Sequence, residues 1–155
     1  MIPGNSMMQA TLAQALEDLH TRIAATILGL DEAALAWQPS QALPSVRDLI
    51  RHAATEERRW IGEGVANIPA TDESSYAVIQ FSSGQAADNA LFELGSVGQV
   101  SQMILGRLGP TDWEEVRSVE GRSITVAGCV LQTLIELSRI LGHIESISHL
   151  WDTAR

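Results

Sequence analysis

Four histidines and a few carboxylates carry whatever acid–base or metal chemistry this chain can do. His52 and Glu56 stand four residues apart, with Glu57 next in line. On a helix that spacing projects both side chains from one face, so they can hold one metal ion together or form a solvated surface pair. Glu136 and His143 are seven residues apart, two turns and ~10.5 Å along a helix axis. That is too far to chelate one ion easily, yet near enough to line one pocket. Position 140, which would complete an i, i+4 pair with Glu136, is Ile, and an alkyl group ligates nothing. Without a ligand role, Glu136 is a flank residue paired with Arg139 or solvent, and His143 a partly buried histidine bonded to backbone.

The other reactive side chains read as structural. His20 follows Leu16 by four residues at the edge of an apolar stripe. His149 lies near the C-terminus of a helix, where a cation suits the dipole. Cys129, the single cysteine, has Val126, Ala127 and Val130 as neighbours, so burial is expected and an intrachain disulfide is impossible. The chain has no His-x3-His pair, no Cys-x2-Cys, no Gly-rich phosphate loop and no Gly-x-Ser-x-Gly elbow.

Four segments have the periodicity needed to position these residues. Leu12, Leu16, Leu19, Ile23, Ile27 and Leu30 define the first helix, capped by Asn5 or Ser6. After Gly29, the stretch "DEAALAWQPSQALPS" contains two prolines and reads as a connection. The second helix starts at Ser45 with Asp48 completing an approximate capping box. It buries Val46, Leu49, Ile50, Ala53, Trp60 and Ile61, and ends at Gly62 and Gly64. Residues 64–83 have no sustained period and form a long connection, either a plain surface crossing or a lid. The third helix runs from about Gly84 to Leu108 with Ser83 as cap. Within the break that follows, "EEVRSVEGRSITV" alternates weakly and reads as a short hairpin. The fourth helix runs from about Thr125 to Asp152 on a stripe of Val130, Leu134, Leu137, Leu141, Ile144, Ser148 and Trp151. Four amphipathic helices imply an all-α four-helix bundle, one domain over residues 1–155, with long connections after the second and third helices that permit crossovers.

Composition narrows the function. Nineteen acidic residues stand against ten cations, all Arg, giving net −9. Phosphate recognition rests on clustered positive charge, so neither nucleic acid nor an anionic membrane is an expected partner. No apolar run reaches the ~18 residues that span a bilayer. The N-terminus "MIPGNSMMQA" lacks a basic segment followed by an apolar core. A cytoplasmic location is the expectation.

The segment "GLDEAALAWQPSQALPSVRDLIRHAATEERRW" resembles the signature of the DinB-like superfamily. Leu30, Leu35, Trp37 and Pro39 match its first part, Ser45, Val46, Leu49 and His52 its second, and Glu57 and Trp60 its third. "ITVAGCVLQTLIELSRILGHIESI" resembles the last bundle helix, and more narrowly that of relatives of the mycothiol-dependent maleylpyruvate isomerases. The resemblance covers nearly the whole chain and implies a bundle that is commonly a homodimer. It also implies a divalent metal, zinc or nickel, held between helices, and a low-molecular-weight thiol or other small molecule as ligand. Carried over by position, the metal residues are His52 and Glu136, with the third place on Ile140 and His143 just beyond. Three outcomes are open. His143 substitutes as ligand, or the metal binds weakly or not at all, or Glu56 or Glu57 completes the site; the second is preferred, since catalytic zinc normally has three protein ligands.

Overall fold

A computed structural model of the chain describes residues 3–69 and 86–155. Four long helical stretches dominate: α1 (Pro3–Ile27), α3 (Val46–Glu57) continuing into a π-helical segment (Arg58–Val65), α4 (Ala86–Gly106) and α5 (Val126–Thr153). A one-turn helix, α2 (Glu32–Ala36), lies between α1 and α3, and a two-stranded ribbon, β1 (Val116–Val119) and β2 (Arg122–Thr125), precedes α5.

The expected stripes form the core. Leu16, Ile23 and Ile27 of α1 are buried, as are Leu49, Ile50 and Ala53 of α3, Leu94 and Val97 of α4, and Val130, Leu137, Leu141 and Ile144 of α5. Each large aliphatic side chain removed from water contributes about 1.5–3 kcal/mol, which holds these faces together. α1 and α3 each pack against both α4 and α5. They are therefore diagonal to each other, and the neighbours around the bundle run α1, α5, α3, α4. The crossovers consequently follow the first and third long helices, whereas the sequence allowed them after the second and third.

Local signals explain the boundaries. Ser45 caps α3 as expected: its hydroxyl accepts from the Asp48 amide while the Asp48 carboxylate accepts from the Ser45 amide. These bonds from Ser45, led by its hydroxyl, hold the Asp48 carboxyl below its ordinary pKa. Thr125 caps α5 by accepting from the Gly128 amide. Three boundaries differ from expectation. α1 begins at Pro3, so Asn5 and Ser6 lie inside it; proline suits a first turn, where its missing N–H is not needed. The connection after α1 contains α2, because Asp31 caps a turn by accepting from the Ala34 amide at 2.8 Å. Trp37 then tilts against Trp151 of α5, with ring centroids 5.6 Å apart.

The third difference lies at the end of α3. Gly62 and Gly64 do not stop the helix. It widens, with the Ala66 amide donating to the Ile61 carbonyl at 3.1 Å, an i→i−5 bond. Asn67, in the left-handed region at φ 56°, closes it. Gly64 has a packing reason: a Cβ there would lie 2.9 Å from Cys129 Sγ and 3.0 Å from Val119. The expected hairpin is present as β1–β2, with Val119 opposite Arg122. Glu120 and Gly121, both at positive φ, make the two-residue turn that matches strand twist. Most of the 64–83 connection, the Ser83 cap and the first residues of the third helix lie outside the described residues. Among the described residues, no helix is long and apolar enough to cross a membrane.

Candidate functional site

The residues singled out for metal chemistry occupy α3 and α5, which pack against each other. His52 is exposed on α3 and His143 is exposed on α5. Glu136 is mostly covered, but its carboxylate is engaged along its own helix: one oxygen accepts from Gln132 Nε2 at 3.2 Å, the other from Arg139. Ile140 is 1 % exposed and belongs to the core. Glu56 and Glu57, the alternative third ligands, are both turned elsewhere. Glu56 accepts from Arg59 at 2.7 Å and from the Trp60 indole N–H at 3.2 Å; Glu57 is held by His20. No three His, Cys, Asp or Glu side chains among the described residues converge as a metal-holding group. The donor set on these two helices, two exposed imidazoles and a carboxylate already paired with Arg, does not fit a closed tri-ligand metal centre.

The structure brings together a pair that the sequence did not. His20 Nε2 of α1 lies 2.6 Å from Glu57 Oε2 of α3, across the diagonal of the bundle. Glu57 is 0 % exposed and the His20 side chain 17 %. Burial opposes a charge on the imidazole, but the hydrogen bond and the charge of Glu57 together outweigh it, and the His20 pKa is raised above 6.5. Glu57 Oε1 has no hydrogen-bond partner among the described residues, so the carboxyl depends on His20. A buried acid held by one histidine is an expensive arrangement unless the pairing is kept.

His20 opens on a cleft of about 630 Å³ between α1 and α4. Glu17 stands beside it on α1, and Gly95, Gly98, Gln99 and Met103 form the α4 wall. Gly98 is there for a steric reason: a Cβ would fall 2.7 Å from His20 Cε1 and 2.9 Å from Nδ1, so only glycine lets the ring lie against α4. Gln102, also lining the cleft, ties the two helices by donating to the Ala13 carbonyl at 3.1 Å. Arg58, next to Glu57, donates to Glu93 of α4 at 2.6 Å and fixes the end of α3 on that side.

The signal for this pair was present in the stripes. His20 follows buried Leu16 by four residues, and Glu57 follows buried Ala53 by four. A polar residue in register with an apolar stripe needs a partner, but periodicity in one helix does not say which residue of another helix supplies it. His149 is exposed, as a helix-end cation would be. Cys129 is buried, and burial pushes its thiol pKa up, which opposes a nucleophilic role.

YfiT from Bacillus subtilis, described as a probable metal-dependent hydrolase with an unusual four-helix bundle topology, superposes with a TM-score of 0.71 at 14% identity. The match covers 93% of this chain and 87% of YfiT, and at that identity it speaks to the bundle alone. No curated protein matches the chain. The profile of the mycothiol-S-transferase family matches residues 11–147, which takes in α2, α3, α4 and the ribbon whole and the greater part of α1 and α5. The chain belongs to the mycothiol-S-transferase family, within the DinB-like bundles.

Proposed function

We propose that this protein is a family member with an inter-helix pocket for a small molecule and an incomplete divalent-metal triad, binding zinc or nickel weakly or not at all. The observation that carries the reading is Ile140. The place where the resemblance puts a third ligand is filled by an alkyl group packed in the core, and no rotamer change converts it into a donor. Glu136 supports the same reading, because Arg139 and Gln132 already occupy its oxygens. The family's description gives the ligand class, a low-molecular-weight thiol such as mycothiol. The unit is a homodimer on the same resemblance, which light scattering of the purified protein would check.

A second reading is favoured by one observation. His52 and His143 are both exposed and have no side-chain partner among the described residues, so both are available as ligands. In that reading the protein is a metal-dependent thiol transferase or isomerase in which His143 substitutes for the missing ligand. A bound zinc would favour the thiolate of its substrate. Metal analysis of protein purified without an affinity tag separates the two. Stoichiometric zinc or nickel that disappears in His52→Ala overturns the incomplete-triad reading. Absence of metal, with no thermal shift on adding either ion, overturns the metalloenzyme.

A further inference from the structure

The structure assigns a second chemical role to the bundle: the His20–Glu57 pair is the proton acceptor for a small thiol seated in the cleft between α1 and α4. The inference takes only the ligand class from the proposed function, and its geometry is independent of the α3–α5 face. Three observations converge on it.

First, the ring is oriented. With Nε2–H donating to the Glu57 carboxyl at 2.6 Å, the nitrogen left for a ligand is Nδ1. It has no hydrogen-bond partner among the described residues, and in the neutral ring it is the basic nitrogen. A base whose far nitrogen is held by a buried carboxyl is the base–orienter half of nucleophile-activating sites. Second, the pair is placed at a cavity and not sealed in the core: Glu57 is wholly buried, while His20 lines the cleft. Third, the cleft wall is shaped for the ring. Gly98 admits it, and Gly95, Gln99 and Met103 line the same wall. The thioether and alkyl surface of Met103 suits a sulfur-bearing ligand, and the Gln99 amide offers both a donor and an acceptor to its polar end.

The step is a proton transfer. The S–H bond breaks, its electron pair stays on sulfur, and the proton goes to Nδ1. The products are a thiolate and an imidazolium, the latter stabilised by the Glu57 carboxyl beneath it. No oxidant, reductant or metal takes part. The chain thereby has a way to make thiolate on its own residues, on a different pair of helices from His52, Glu136 and His143.

The test uses the full-length protein and N-acetylcysteine as probe, with S-methyl-N-acetylcysteine as control. In protein labelled with ¹⁵N-histidine, held at a pH above the raised His20 pKa so that the ring starts neutral, the thiol is expected to move the His20 nitrogens toward imidazolium shifts, and the S-methyl compound to leave them neutral. In Glu57→Gln the amide oxygen can still accept from Nε2–H, but the negative charge is gone. Binding of the thiol is expected to weaken roughly tenfold while the S-methyl compound binds as before. Met103→Trp fills the cleft without touching the pair and is expected to abolish the response. The proposal is overturned if saturating thiol leaves the His20 nitrogens unmoved, or if Glu57→Gln binds it as tightly as the parent. Should Glu57→Gln fail to fold, the parent titration decides alone. Shifts at His52 or His143 instead would overturn this assignment and leave the thiol-binding reading standing, whereas metal analysis tests that reading's incomplete triad separately.

Discussion

Two faces of one bundle carry the same two residue types in opposite states. On the α3–α5 face, His52 and His143 stand in solvent, and Glu136 is satisfied by neighbours on its own helix. Beside the α1–α4 cleft, His20 of α1 and Glu57 of α3 are 37 residues apart in sequence, largely or wholly buried, and bonded to each other across the core. The family resemblance, read with the spacing along each helix, singled out the first group; only the packing of several helices creates the second. A histidine and a glutamate acquire chemistry from what desolvates them and what holds them, and here the less conspicuous pair has both.

The comparison breaks most sharply on stability. His20→Leu leaves Glu57 buried without a partner and should cost about 3–5 kcal/mol, read by urea unfolding. His52→Leu, on the exposed face, should stay within about 0.5 kcal/mol. Equal losses would mean that the two faces are not different in kind. Next in size, Ile140→Ala should lose about 2–5 kcal/mol, as expected of a core aliphatic; a loss near zero would place position 140 at the open face instead. Gly98→Val should cost about 1–3 kcal/mol through collision with the His20 ring, although replacing glycine inside a helix ordinarily helps. Gain instead of loss would show that the ring can move away.

A smaller effect follows from titration. The His20 pKa is raised in the folded state above its ordinary 6.5. A raised pKa means that protonation favours the fold. The contribution is fully present below pH 6.5 and is lost as pH rises through the folded value. Melting curves on the parent should therefore show stability falling over that window, and His20→Leu should flatten that component. The opposite slope would contradict the pairing with Glu57. Smallest of all, Arg139→Ala removes an exposed i, i+3 pair with Glu136 and should change stability by about 0.5 kcal/mol or less. Its use is different: it frees a Glu136 oxygen. If zinc then binds measurably tighter, the Arg139 contact is part of what keeps that face from holding metal.

Much of the fold was legible because it rests on local rules. The stripes of α1, α3, α4 and α5, the Ser45–Asp48 box, the start of α5 near Thr125 and the β1–β2 hairpin all depend on residues within a few positions of each other. The crossovers were less legible, since connection length alone does not fix which helices become neighbours. The stripes implied the bundle, and the resemblance pointed to His52 and Glu136. It also drew attention to the polar residues of α3 and α5, while His20 was set aside as structural. Its role depends on the absent side chain of Gly98 and on Glu57, neither of which is near it in sequence. Gly62 and Gly64 misled in the other direction. They looked like a stop, but Gly64 is required by close approach to Cys129 and Val119.

The π-helical segment after Glu57 has a consequence for how this region tolerates changes in length. A stretch wound with i→i−5 bonds takes more residues per turn than the α-helix before it, so it lags in angular phase. Trp60, Ile61 and Val65 all point into the core with that lag included. Deleting a single residue between 58 and 65 would let the backbone relax into an ordinary α-helix, a gain for the hydrogen-bond ladder alone. The same deletion would swing every later side chain around the axis and bring the wrong ones inward. Backbone regularity and core registration are therefore opposed over these eight residues. This stretch should accept substitutions far more readily than insertions or deletions.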